Sequence, residues 1–346
     1  MTNINEEIED VYINEIIRVN YKCNWSCKFC NVLKTNNYWK NDVSSKKIIL
    51  NILELVKKYT IEQRKHLTLS FSWWEPTLNK NLLSFIRLAK KIWIWTVEIQ
   101  TNGTILFKNK DYIYELMDAW LDEIFLAQHS WDEIINKELW SYYNIEDFKK
   151  WVQFVQENKL DKKISIYLNI VVTKINIFSI CDFISMLLQI WFIDIIPKDQ
   201  DEKGKYTHKI SFWYCQPNGY AELNKDQVLL DFWKEQIVEI DKIVELCQKN
   251  NILPDFHFTA PPMCVLDYKE YNLEYSRLKT LEQNTEDGEI NEWNLESYKW
   301  LWKEKRKFDE CKQCSNNKYC LWMYKNWINF VWEDYAKDKI LSYLSQ

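Results

Sequence analysis

Three cysteines, Cys23, Cys27 and Cys30, fall within the ten-residue run YKCNWSCKFC. Three more, Cys311, Cys314 and Cys320, lie close together in ECKQCSNNKYC, and Cys264 stands apart in PPMCVLD. Thiolates at such spacing suit soft metals and iron–sulfur clusters. Three in one loop fill three corners of a cubane and leave one iron open to a further ligand. A zinc knuckle is the competing use, but it needs a fourth ligand; no other cysteine and no histidine stands within thirty residues of this loop. The second set with Cys264 makes four thiols, which serve zinc or an iron–sulfur cluster equally well. Cys181 and Cys247 fall on apolar helical stretches and read as core thiols, and Cys215, ahead of a turn, reads the same way. The four histidines, at 66, 129, 208 and 257, have no metal-ligand spacing among them. Sulfur would do the holding.

The elements that must position these thiols alternate along the chain. Strands are predicted at 15–21, 66–72, 96–102, 122–128, 164–172 and 192–197. Amphipathic helices at 44–59, 79–92, 144–159 and 177–190 separate them. Strand and helix in alternation predict βαβ units on a parallel sheet. Six strands are too few for a closed eight-fold barrel, so the expected fold is an α/β partial (β/α)6 TIM-like barrel with its site at the carboxyl ends of the strands. Cys23, Cys27 and Cys30 directly follow the first strand. Beyond it, 210–223 reads as a hairpin or strand with a turn at Pro217–Gly219, and 224–250 as one long helix. The expected organisation is an extension over 1–14, the barrel over 15–235, a connecting helix over 236–260 and a small cysteine-rich metal-binding domain over 261–346.

With 346 residues, 47% hydrophobic and 27% charged, the chain has a globular balance and room for two domains. A net charge of −5 argues against a nucleic-acid partner. The acidic run MTNINEEIEDVY does not read as a secretory signal, and no apolar run has membrane-spanning length. A cytoplasmic protein is expected, whose ten cysteines serve metal or redox chemistry in preference to disulfides.

The composition holds an anomaly: 4 glycines against 19 tryptophans. An average chain of this length carries about 7% glycine, roughly 24 residues, nearly the sum of the two. Trp93, Trp95, Trp120 and Trp191 all stand where a helix gives way to a strand, a junction that prefers glycine for its positive φ. One reading is that many of these positions are UGA codons that the cell reads as glycine; the other is a tryptophan-rich protein. Trp25 need not be among them.

The spacing Cys23-x3-Cys27-x2-Cys30, with aromatic Phe29 before the last cysteine, resembles the signature of radical S-adenosylmethionine (radical SAM) enzymes. The run SFSWWEPTL stands where that family carries a Gly-Gly-Glu-Pro element for the methionine end of the cofactor. Trp73 and Trp74 replace both glycines, ahead of Glu75 and Pro76. By the same resemblance, Asn102 in IQTNG, Gln128 or Ser130 in AQHSWDE, and Asn169 in LNIVVTKIN are expected near the cofactor. The resemblance implies a 4Fe–4S cluster on Cys23, Cys27 and Cys30, and bound S-adenosylmethionine cleaved to a 5′-deoxyadenosyl radical that abstracts hydrogen. An electron donor such as a flavodoxin or ferredoxin is implied too. Cys311, Cys314 and Cys320 resemble the SPASM or twitch domains that hold an auxiliary cluster, with Cys264 as fourth ligand. A peptide or protein substrate is the leading expectation. A small molecule or cofactor precursor is the first rival, and a non-catalytic metal-binding protein on a degenerate scaffold the second.

Overall fold

The computed structural model describes residues 13–32, 43–72, 74–141, 144–196, 208–231, 234–257, 305–314 and 323–325. Seven strands form one all-parallel sheet in chain order: β1 (Ile13–Arg18), β2 (Leu67–Ser72), β3 (Thr96–Thr101), β4 (Glu123–Ala127), β5 (Ser165–Val172), β6 (His208–Tyr214) and β7 (Ile252–His257). The ladder runs from β1 to β7 without closing, which is an open, partial barrel. Between the strands lie α1 (Ser45–Lys58), α2 (Ile61–Arg64), α3 (Leu82–Lys91), α4 (Thr104–Lys108), α5 (Tyr112–Asp118), α6 (Glu133–Glu138), α7 (Ile145–Glu157) and α8 (Ile180–Gln189). After β6 come α9 (Tyr220–Leu223), α10 (Lys225–Val228) and α11 (Lys234–Lys249). Among the described residues no helix is long and apolar enough to cross a membrane.

Strand periodicity sorts the side chains. Leu67, Leu69 and Phe71 of β2, and Ile166, Leu168 and Ile170 of β5, are fully buried on one face, packed with the apolar stripes of the helices. On α1 that stripe is Ile48, Ile52 and Leu55, and Ser44 caps the helix by accepting the Lys47 N–H. The opposite face of the sheet is largely polar. Ser70 faces Glu98 across β2–β3 and donates to it at 2.5 Å, and Ser211 on β6 donates to Asp255 on β7.

The helix ends show where glycine would be expected. α3, α5 and α6 each finish in a Schellman turn. In these, the N–H groups of Trp93, Trp120 and Trp140 bond to the carbonyls of Lys90, Met117 and Lys137. The next residues, Ile94, Leu121 and Ser141, reach back to Ala89, Leu116 and Asn136. The first residue past the cap is left-handed in every case: φ is 65° at Trp93, 68° at Trp120 and 57° at Trp140. α8 ends the same way on Trp191, at φ 58°. Trp74 has φ 64°. A bulky L-residue there costs about 1–2 kcal/mol. Five of them sum to about 5–10 kcal/mol, as much as the whole stability of many domains.

The structure corrects several expectations. Among the described residues the parallel sheet has seven strands, not six. The run expected as the sixth strand is not one over its described part, 192–196: Phe192–Ile195 is a 3-10 turn. The sixth strand is β6, which pairs parallel with β5, so of the two readings of 210–223 the strand running into a turn holds and the hairpin does not. The long helix expected over 224–250 is two, α10 and α11, and the segment 236–260 contains β7 after the end of α11. Trp95 is not left-handed, whereas Trp140, which the sequence did not single out, is. Residues 1–12, Trp73, Cys264 and Cys320 lie outside the described residues, as does most of 261–346.

Candidate active site

Cys23, Cys27 and Cys30 sit in the loop after β1, at the carboxyl edge of the sheet. Two neighbouring elements hold this loop. The N–H of Lys28 bonds to the Leu139 carbonyl at the end of α6, and the N–H of Ala221 in α9 bonds to the Cys30 carbonyl. Asn224 donates to the Lys28 carbonyl at 3.3 Å. Cys23 Sγ accepts the Trp25 N–H at 3.4 Å and lies 3.8 Å from Asn102 Nδ2, so donors face the sulfur. Trp25 is buried and its indole N–H donates to Thr104 Oγ1 at 3.0 Å.

Glu75 does not present its carboxylate to an open site. It is fully buried, and its oxygens accept the N–H and hydroxyl of Thr77, the hydroxyl of Thr101 at 2.6 Å and the N–H of Asn102 at 2.8 Å. Burial pushes its carboxyl above the ordinary range against the pull of these donors. Its backbone N–H bonds to the Lys22 carbonyl, and its carbonyl accepts from Asn20. Glu75 therefore ties three strand ends together, a positioning role where cofactor contact was expected. Pro76 opens the buried 3-10 turn that follows.

Asn102 is the link to the thiols. Its Nδ2 donates to Asn24 Oδ1 at 2.7 Å, and its carbonyl accepts from Gln128 Nε2 at 3.0 Å. Gln128 is fully buried, yet its Oε1 has no partner; the same holds for Oδ1 of Asn169. The two residues adjoin, since the Gln128 N–H bonds to the Asn169 carbonyl. Two orphaned buried acceptors on adjoining residues are costly unless a ligand supplies donors. Phe29 and Ser130 take structural places instead. Phe29 stacks edge-on against His129 at 4.7 Å, and Ser130 accepts the Asp132 N–H ahead of α6. His129 accepts the Val171 N–H through Nδ1, and burial lowers its pKa to about 3.

Three thiolates in one loop are the donor set that suits a cubane cluster. The thiolates of a cubane bind different irons. None of the described cysteines is in a disulfide. The orphaned acceptors fit a ligand with hydroxyl donors, such as a ribose. Trp74 fits less well: it is left-handed, at φ 64°, immediately before Glu75, a backbone conformation that favours glycine.

Residues 17–187 match the model of the radical SAM superfamily. This span is a radical SAM domain. Among similar proteins, the chain carrying this radical SAM domain is 29% identical to the "Probable GTP 3′,8-cyclase" of Sulfolobus acidocaldarius, over 58% of its own length and 63% of the relative's. It is 27% identical to the protein of the same name from Sulfurisphaera tokodaii, over 53% of each chain. It thus spans less than two thirds of the length of these relatives. A solved structure of Streptococcus suis SuiB bound to S-adenosylmethionine is 15% identical, with a TM-score of 0.49 over 71% of this chain and 51% of that one.

The second thiol group is described in part. Cys311 is buried in the middle of the 3-10 turn Asp309–Gln313, and Cys314, half-buried, caps its end, the Cys314 N–H bonding to the Cys311 carbonyl at 3.0 Å. Cys181 and Cys247 lie on α8 and α11, where burial pushes the Cys181 thiol up to about 11 and Cys247 higher still. Cys215 is buried with its thiol 3.9 Å from the Phe29 carbonyl; burial and the neighbouring Cys30 keep it protonated. Sequence reasoning missed Asn24, Thr77, Thr101 and Gly219. Gly219 carried a signal, being one of only four glycines.

Proposed function

We propose that the chain is a radical SAM enzyme acting on a small molecule. The observation that carries the enzymatic reading is the pair of orphaned buried acceptors, Gln128 Oε1 just past β4 and Asn169 Oδ1 within β5, with Gln128 bonded to Asn102, the residue that faces Cys23 Sγ. Cys23, Cys27 and Cys30 would hold a 4Fe–4S cluster. Gln128 and Asn169 would accept hydrogen bonds from the ribose of S-adenosylmethionine. When bound, the two groups supply a one-electron cleavage that yields a hydrogen-abstracting carbon radical. Glu75, through Thr101 and Asn102, keeps the acceptors and the Cys23 sulfur in register. An external reductant such as a flavodoxin or ferredoxin supplies the electron.

The substrate class rests on the relatives, whose name denotes cyclisation of GTP, and on the polar face of the sheet. Phe125 and Tyr167 lie there at 6.4 Å, on the same face as the buried carboxylates of Glu98 and Asp255. An aromatic and acidic lining suits a flat ring bearing N–H donors, such as a purine. A peptide substrate, the first expectation, gives way to this reading. Cys311 and Cys314, with Cys264 and Cys320, are assigned to an auxiliary cluster. The non-catalytic scaffold is the second reading, favoured by Trp74 alone.

The test is anaerobic reconstitution with iron and sulfide, followed by reduction with S-adenosylmethionine and assay for 5′-deoxyadenosine. Two clusters hold about eight irons per chain and one holds about four. 5′-Deoxyadenosine that disappears in the Cys23→Ala/Cys27→Ala/Cys30→Ala variant supports the enzyme. A full cluster without cleavage supports the scaffold.

A further inference from the structure

We propose that the functional polypeptide carries glycine, not tryptophan, at positions 74, 93, 120, 140 and 191, encoded by UGA codons that the cell reads as glycine. The inference goes beyond the enzymatic reading, because Trp93, Trp120 and Trp191 stand at the ends of α3, α5 and α8; Trp140, at the end of α6, meets the cysteine loop, its carbonyl accepting the Ser26 N–H.

Backbone conformation carries the argument. Among the described residues seven that are not glycine have positive φ, and five are tryptophan. Only a few per cent of non-glycine residues adopt such φ, and a bulky one there is an outlier. Chance therefore predicts fewer than about one among the ten described tryptophans. Left-handed residues follow six helices; four are tryptophan, one is Asn251 and one is Lys159, and none is glycine. Glycine is the usual residue at this position because it has no Cβ to clash. The two described glycines, Gly103 and Gly219, both have positive φ, at 75° and 62°. This chain thus uses glycine where the backbone demands it, and tryptophan stands in its remaining places.

Side-chain environment separates the five from the others. Trp93 is 74% exposed, Trp191 66%, Trp120 56% and Trp140 52%. These indoles bury little that would offset the strained backbone beneath them. Trp25 and Trp151 have the opposite character. Both are buried with negative φ, Trp25 donates to Thr104, and Trp151 packs edge-on against Phe107 at 5.5 Å. They are assigned as genuine tryptophan. Trp74 is half-buried in the loop between β2 and Glu75. Glycine at that position removes an indole beside the three-cysteine loop, to which the next residue is bonded through the Lys22 carbonyl.

Peptide mapping by mass spectrometry of the chain isolated from the cells that carry its gene decides the matter. Glycine at 74, 93, 120, 140 and 191, with tryptophan at 25 and 151, is the expected result. Tryptophan at the four helix ends, or UGG codons there, overturns the proposal. A second measurement uses recombinant protein made as written. Trp93→Gly, Trp120→Gly, Trp140→Gly and Trp191→Gly are each expected to raise the denaturation midpoint, whereas Trp151→Gly lowers it. A lowered midpoint in all four helix-end variants overturns the backbone argument. Neither measurement depends on cluster or cofactor, so failure here leaves the enzymatic reading untouched.

Discussion

The Glu75 carboxylate accepts the backbone N–H of Asn102 at 2.8 Å and so joins the loop after β2 to the end of β3. Because Asn102 also faces Cys23 Sγ and supports Gln128, one buried acid sets the relative positions of a sulfur and an orphaned acceptor. Its burial makes that link demanding, since each donor turned towards it is stranded if the acid is removed.

Replacing Glu75 with alanine therefore removes the acceptor for Thr77, Thr101 and Asn102 together. The expected loss is about 2–4 kcal/mol in urea denaturation. Iron retained after reconstitution should fall as well, since the Cys23 loop loses its anchor through Asn102. Unchanged iron content alongside the lost stability would confine Glu75 to a fold role.

His129 makes the protein acid-sensitive. It is buried and neutral, with its pKa lowered to about 3, while the unfolded chain titrates near 6.5. The unfolded state thus takes up the proton first as pH falls. The contribution is complete above pH 6.5 and is lost at roughly 1.4 kcal/mol per pH unit on the way down towards 3. His129→Gln keeps an acceptor for the Val171 N–H and cannot ionise. The stability difference between the two proteins should change with pH across this window. A constant difference would place the titration elsewhere.

The sheet was legible because its first five strands are short, apolar and periodic, and their bounds shift by only a few residues in the structure. The errors have physical causes. FIDII at 192–196 is a short apolar run that periodicity cannot tell from a buried helical turn. β6 runs into Gln216–Pro217–Asn218–Gly219, a turn signal that suggests a hairpin. β7 contains Pro254, and among the described residues β7 is the last strand of the sheet, a place that tolerates proline. The cysteine loop was readable because its chemistry is local in sequence. The use of Glu75 was not, because its partners Thr101 and Asn102 come from another strand. Trp140 escaped notice because α6 is too short to show a period.

Gly219 is the second anchor of the cysteine loop. A Cβ at this residue would stand 2.4 Å from the backbone carbonyl carbon of Asn31, next to Cys30, and its φ of 62° disfavours any side chain. Gly219→Ala must push the two segments apart. The expected cost is about 1–3 kcal/mol, with faster loss of the cluster to a chelator than in the parent. Equal bleaching rates would show that Cys30 does not depend on this contact.

Gln128 and Asn169 allow the ligand to be tested apart from the metal. Each has a buried oxygen without a partner, and neither is a thiolate ligand. Gln128→Leu and Asn169→Leu remove an acceptor of similar bulk without opening a large cavity. If each oxygen receives one hydrogen bond from bound S-adenosylmethionine, each variant should bind it roughly tenfold more weakly, about 1.4 kcal/mol. Iron content should stay at the parental level, because no sulfur is touched. Equilibrium dialysis against labelled S-adenosylmethionine on the reconstituted protein measures the first, and iron analysis the second. Removing an orphaned acceptor also relieves a buried cost, so Asn169→Leu should be as stable as the parent or more so without ligand, whereas Gln128→Leu also strands the Asn102 carbonyl and should lose about 1 kcal/mol. Weakened binding together with undiminished stability in Asn169→Leu is the signature of a ligand-facing acceptor; lowered stability with unchanged binding would make both residues structural.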